Sequence, residues 1–304
     1  MEPTVLSLLL GTMLLRPYVF IFLVFYLIAS VLQFGLKRTL GFTVIGYCLV
    51  FLAEYSSTRT GFPFGWYYYI DTTRHQELWI SNVPFMDSLS FIFLAYASYT
   101  TALLLCAPLW YSRRDVQIVD TQALRRAPAV LVLAVMFFVL IDVVIDPVAL
   151  RGSRWFLGQI YGYYEAGIYF GVPLANFGGW AIVGTVLVTL HRVLDGVFRA
   201  GPQRQADWGV RWVPYRGLFG PLLYLGTYAF NVCMTFVIGE YLLGLVDLFL
   251  LTPVFVLAWT QVTRVTNRAT QADFEAHCRD FPDSPLARQG HMHPAVPHGG
   301  ETQP

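Results

Sequence analysis

Residues 140–180 read LIDVVIDPVALRGSRWFLGQIYGYYEAGIYFGVPLANFGGW, and they join an apolar run carrying two acids to a loop rich in glycine and aromatic rings. The run begins near residue 127 and is long enough to cross a bilayer as a helix. Asp142 and Asp146 are four residues apart, so on that helix they share one face. Pro147 is expected to end it, because the residue before a proline avoids the α region. One aspartate at the centre of a membrane helix costs about 2.5–3.5 kcal/mol on insertion scales. Such acids are kept where they face a cavity, a partner or a substrate path, and we read this pair as chemistry.

The rest of the chain agrees with a membrane setting. It has 304 residues, is 56% hydrophobic and 13% charged, and its mean hydropathy is +0.54, outside the balance of soluble domains. Apolar runs of spanning length fall at about 17–36, 39–55, 84–111, 127–146, 173–194, 217–239 and 242–262. The fold class expected is all-α, a polytopic membrane bundle of about seven helices. Residues 4–15 read as an interfacial helix or an extension of the first span, with no basic segment or cleavage site of a signal peptide. A net charge of +1 gives no reason to expect a nucleic acid partner. Cys48, Cys106 and Cys233 lie in apolar runs and Cys278 beyond them, a pattern with neither a disulfide framework nor a metal motif.

Lysine and arginine placement sets the expected orientation. Fifteen of the twenty lie in one set of loops and in the tail, and five (Arg16, Arg59, Arg74, Arg151, Arg154) in the other set. That puts the C-terminus in the cytoplasm and the N-terminus outside, in the cell membrane. The two long aromatic loops, 56–83 and 147–172, then share the outer face and can build one structure. Residues 1–263 are expected to form the membrane domain. Residues 264–304 are expected to be a polar, disordered cytoplasmic tail whose His291, His293 and His298 are solvated rather than metal-bound.

Candidate site residues cluster at the outer ends of the spans. Glu54 ends the second span and leads into TRTGFPFGWYYY, where Gly61, Pro63 and Gly65 suit a tight turn. Trp66, Tyr67, Tyr68, Tyr69 and Trp79 read as an interfacial aromatic belt, with the tyrosines equally open to lining a substrate path, and Tyr164 and Tyr169 of the second loop are further candidates to line it. Asp87 is either a site acid or a helix N-terminal acid favoured by the macrodipole. Glu165 and Gly171 follow in the second loop, then Asn176 and Trp180 at the start of the next span. Asp247 reads as an interfacial acid, or as a partner of Asn231 or of the acidic cluster. Only His75 and His191 stand near the spans, too few for a histidine-rich iron site, and no GxGxxG or GxxxxGK[ST] loop is present. The reagents left are carboxylates, phenols, amides and water, so no cofactor and no metal are expected.

Glu54 with TGFPFGWYYY, DVVIDP from Asp142, and YFGVPLANFGGW from Tyr169 together resemble the integral-membrane carotenoid 1′,2′-hydratases of the CruF type, over about residues 40–260. The resemblance implies addition of water across the terminal C1′=C2′ bond of a linear carotenoid ψ-end, giving a tertiary alcohol. It carries over Glu54, Gly61, Pro63, Gly65, Asp142, Asp146, Pro147, Gly171, Pro173, Asn176 and Trp180. The partner implied is a carotenoid within the bilayer, with other carotenoid-pathway enzymes nearby. The chemistry of the residues is compatible: one carboxyl of a buried pair can deliver a proton while the other, ionised, steadies a cation and orients water. A membrane lycopene-type cyclase would begin with the same protonation, and a proton-coupled transporter would use the same acids as a relay. Both stay open alternatives.

Overall fold

The structure is a computed structural model that describes residues 4–112, 115–156, 158–199, 213–282, 284, 286 and 287. Seven of its helices are long and apolar enough to cross a membrane. They are α2 (Pro17–Phe34), α3 (Leu36–Thr60), α4 (Phe85–Cys106), α6 (Pro128–Ala149), α7 (Leu174–Arg199), α8 (Phe219–Val237) and α9 (Tyr241–Thr263). Three shorter helices, α1 (Val5–Leu15), α5 (Gln122–Arg126) and α10 (Gln271–Asp280), lie between or beside them. Proline opens α2 and α6, where its missing N–H costs nothing. Gly61 closes α3 in a left-handed conformation, φ 76°, with its N–H on the carbonyl of Ser57.

Helix α4 is the axis of the bundle. Its sequence is apolar or small on every side, and 83% of its span is buried inside the protein. All six other spans pack against it. Five of them form a closed ring in the order α2, α3, α7, α6, α8, and α9 lies outside against α8. Short side chains such as Ser98, Thr100 and Thr101 let the neighbours approach closely, and the two threonine hydroxyls bond back to Tyr96 or Ala97 carbonyls.

Six short strands cap the bundle ends. Strand β1 (Tyr67–Tyr69) pairs with β6 (Tyr161–Tyr163), so the two long aromatic loops meet as expected. Strands β2 (Trp79–Ile80) and β3 (Val83–Pro84) form a second small hairpin. Strands β4 (Leu109–Ser112) and β5 (Asp115–Ile118) form a third at the opposite end of α4.

Four expectations need correction. The apolar run to residue 111 is not all helix: α4 stops at Cys106 and Pro108 diverts the chain into β4. The second span is longer than its apolar core, because the polar run to Thr60 stays helical. Pro147 does not end α6, which continues to Ala149. A proline so near the C-terminus forfeits a single helical bond, and the Arg151 guanidinium caps the Pro147 carbonyl at 2.7 Å. The segment after Thr263 is folded over 271–280. Thr270 and Asp273 form a capping box, Phe274 packs on Trp110 at 4.8 Å, and His277 bonds the Asp120 carbonyl at 2.7 Å. Residues 288–304, with the three tail histidines, lie outside the described residues.

Candidate active site

The β1–β6 pair alternates its side chains, as a strand must. Tyr67 and Tyr69 point inward with Tyr161 and Tyr163, and their rings touch one another at centroid distances of 5.3–6.5 Å. Beneath this tyrosine roof lie four acids in two pairs, and both pairs reach one cavity.

The first pair joins α6 to the roof. Asp146 accepts the Tyr161 hydroxyl on Oδ1 at 2.7 Å, and on Oδ2 the Tyr163 hydroxyl at 2.6 Å and the Asn176 amide at 2.8 Å. The same amide nitrogen donates to Asp142 Oδ2 at 2.8 Å. Asp142 is fully buried, and its Oδ1 accepts no hydrogen bond. Three donors converge on the Asp146 carboxylate, and bonds of this kind favour its anion over its acid. Asp142, one helical turn behind, faces it with a single donor.

The second pair joins α3 to α4. Tyr69 Oη lies 2.6 Å from Asp87 Oδ2 and 3.0 Å from Glu54 Oε1. A phenol has one proton to give, so one of these contacts needs a proton from a carboxyl group. The Ser88 hydroxyl donates to the other Glu54 oxygen. Pro84 caps α4 without a side-chain bond, and Asp87 bonds Tyr69 rather than capping the helix.

Burial first, and then the Asp146 charge, hold the phenols of Tyr161 and Tyr163 well above the ordinary tyrosine range. Burial, Asp87 and Glu54 do the same for Tyr69. These phenols are therefore permanent donors to the acids below them.

The cavity between the pairs is lined by Glu54, Asp87, Asp146 and Asn176 on its polar side. Phe64, Phe91, Phe93, Ile160 and Trp180 supply apolar walls. Trp180 stacks on Phe91 at 4.2 Å, which fixes its ring. The cavity has a volume of about 120 Å³, room for a branched hydrocarbon end and not for a long chain.

The remaining sequence candidates divide. Gly61, Pro63 and Gly65 form the turn that seats α7: a Cβ on Gly179 would lie 2.7 Å from both the Pro63 carbonyl and the Phe64 backbone, so only glycine permits this contact. Trp66, Tyr68, Tyr164 and Glu165 do not reach the cavity. They are exposed on the outer side of the strand pair, where Trp66, Tyr164 and Glu165 border a second groove. Tyr169 and Gly171 belong to the tight loop before α7, with Tyr169 packed on Phe177. Asp247 is buried in α9 and takes the Thr235 hydroxyl at 3.3 Å. Tyr67 and Tyr69, which the sequence leaves between an aromatic belt and a substrate path, belong to the roof over the acids, and Tyr161, Tyr163 and Ser88, not among the sequence candidates, donate to the acids. The alternation Tyr67-x-Tyr69 and Tyr161-x-Tyr163 was the available signal, since two residues apart on a strand means one face.

No curated protein and no solved structure matches the chain. A family model does, over residues 4–256, which takes in both acid pairs, the tyrosine roof and all but the end of α9. The chain belongs to the carotenoid biosynthesis protein family.

Proposed function

We propose that the protein adds water to the terminal C1′=C2′ double bond of a linear carotenoid ψ-end, without a cofactor, at the cavity between the two acid pairs. The observation that carries this reading is the pairing itself: two proton-sharing acid clusters face one apolar space sized for a hydrocarbon end. The arginine balance turns that space toward the outer side of the cell membrane.

Asp87 lines the cavity and delivers a proton to C2′, so that positive charge develops on the tertiary C1′. Glu54 restores the proton through Tyr69, which touches both acids. Asp146, whose anion its three donors favour, sits in the opposite acid cluster and steadies the cation. The aromatic face of Trp180 adds a cation–π contribution of about 2 kcal/mol when desolvated. Water then bonds to C1′ and gives up one proton, which passes along Asp87 and Tyr69 to the Glu54 carboxylate, so both acids are again protonated and the product is a tertiary alcohol. Asp142 and Asn176 position Asp146.

Expression in a host that accumulates lycopene tests the reading. Pigments one water heavier than lycopene support it. A product of unchanged mass, with a ring in place of the open end, would assign the same protonation to a cyclase.

A further inference from the structure

The cavity takes only the end of a long polyene, so the rest of the substrate must leave through its wall. Within the spans most of that wall is closed by buried side chains: Glu54, Phe91, Asp146, Asn176, Trp180 and Asn231 are each no more than 6% exposed. The seam between α2 and α8 is built differently. Tyr18 and Phe22 of α2 and Phe230 of α8 line the cavity there and are only partly buried. Their rings form one cluster. Phe22 touches Phe93 in the cavity wall at 5.9 Å and Phe230 at 5.8 Å, and Tyr18 stacks on Phe230 at 5.9 Å. The cluster then reaches the surface, because Phe156 lies against Tyr18 and Phe230 and is 58% exposed. A continuous row of aromatic rings thus runs from the catalytic space to the outside of two membrane helices.

We propose that this α2–α8 seam is the lateral entrance by which the conjugated chain of the substrate passes between the bilayer and the cavity. The proposal rests on the carotenoid reading above. Phe22 and Phe230 form the aperture, and the chain lies between their rings, whose faces suit a flat conjugated hydrocarbon. Side-chain rotation opens the passage without moving a helix. An entrance between two spanning helices would let the substrate pass from the bilayer without crossing water. The competing route is the outer groove bordered by Trp66 and Glu165. It is separated from the cavity by the close approach of Gly65 and Ala175, where a Cβ on Gly65 would lie 3.2 Å from that of Ala175.

The test uses the full chain in lipid nanodiscs with Cys48, Cys106, Cys233 and Cys278 replaced by serine or alanine, and Phe22→Cys with Phe230→Cys introduced. A reducible bis-methanethiosulfonate closes the seam. Uptake of lycopene is read as visible circular dichroism induced in the bound pigment, a signal independent of turnover. We expect closure to lower the uptake rate at least about tenfold, and reduction to restore it. In the otherwise native chain, Phe230→Trp narrows the aperture and should raise KM more than it lowers kcat. Ala175→Trp, which fills the outer groove, should leave uptake unchanged. Unchanged uptake after verified closure, or loss of uptake in Ala175→Trp alone, would overturn the entrance. Uptake that obeys the seam in a protein that never hydrates lycopene would leave the entrance standing and remove the hydratase reading.

Discussion

Replacing Asp146 by asparagine separates a chemical role from a structural one. Asparagine keeps one oxygen and turns the other into an NH₂ group. If the NH₂ takes the Oδ2 position it meets two donors, the Tyr163 hydroxyl and the Asn176 amide. If it takes Oδ1 it meets only the Tyr161 hydroxyl, which can rotate and accept. The second orientation therefore wins, and the structural loss is about one hydrogen bond to a charged group, about 1.5–3 kcal/mol. That is tolerable against the 5–15 kcal/mol by which folded proteins are typically stable. The chemical loss is larger. A unit charge about 4 Å from a cation is worth about 4 kcal/mol at an effective dielectric of 20. Removing it slows the cation-forming step by about 10³. We expect Asp146→Asn to accumulate normally and to lose about three orders of magnitude in turnover, measured by chromatography and mass spectrometry with purified protein in nanodiscs. Turnover within tenfold of the wild type, at equal abundance, would refute the reasoning.

Other outcomes follow from the same geometry. Asn176→Ala removes the one amide that touches both Asp142 and Asp146, and should cost about 10- to 100-fold in turnover, consistent with loss of a charge-assisted donor worth about 1.5–3 kcal/mol. Because the Tyr161 and Tyr163 phenols are held above their ordinary range by burial and by Asp146, they keep their protons past the usual tyrosine titration, and replacing both by phenylalanine should leave the tyrosinate absorbance of the protein at about pH 10 unchanged. At the opposite end of the bundle, Arg125 and His277 hold the Asp120 carboxyl below the ordinary range despite the opposing effect of burial. Its contribution to stability is therefore full above the unfolded aspartate value and is lost only as pH falls through the depressed one. His277→Ala, which removes the ring bonded to the Asp120 carbonyl and beside its carboxylate, should loosen α10 at neutral pH, seen as faster hydrogen exchange over 271–280 with the spans unchanged.

The spans were legible because hydropathy answers a single question, whether every backbone polar group is bonded internally within a helix. The acids were legible for the same reason: Asp142, Asp146 and Glu54 stand out against an apolar background. Their partners were not. Tyr161 and Tyr163 sit among six aromatic residues within about fifteen positions, and only the pairing of β1 with β6 decides which face inward. Reading the loop as helix-free sequence hid that period of two, so exposed Tyr68 and Tyr164 were preferred to the inward Tyr67 and Tyr163. The folded α10 was hidden differently. Its composition is polar, and its docking depends on Trp110 and Asp120, more than 150 residues earlier. Asp87 shows the reverse limit, since an acid in the first turn of a helix satisfies the macrodipole whether or not it also meets a tyrosine.

The most direct test of acid-catalysed hydration is a single-turnover reaction of the purified protein with lycopene in ¹⁸O-labelled water, run without oxygen and read by mass spectrometry. The account predicts a tertiary alcohol whose added oxygen carries the label, formed at the same rate when air is admitted. An oxygen atom derived from O₂, or an isomer of unchanged mass, would contradict it.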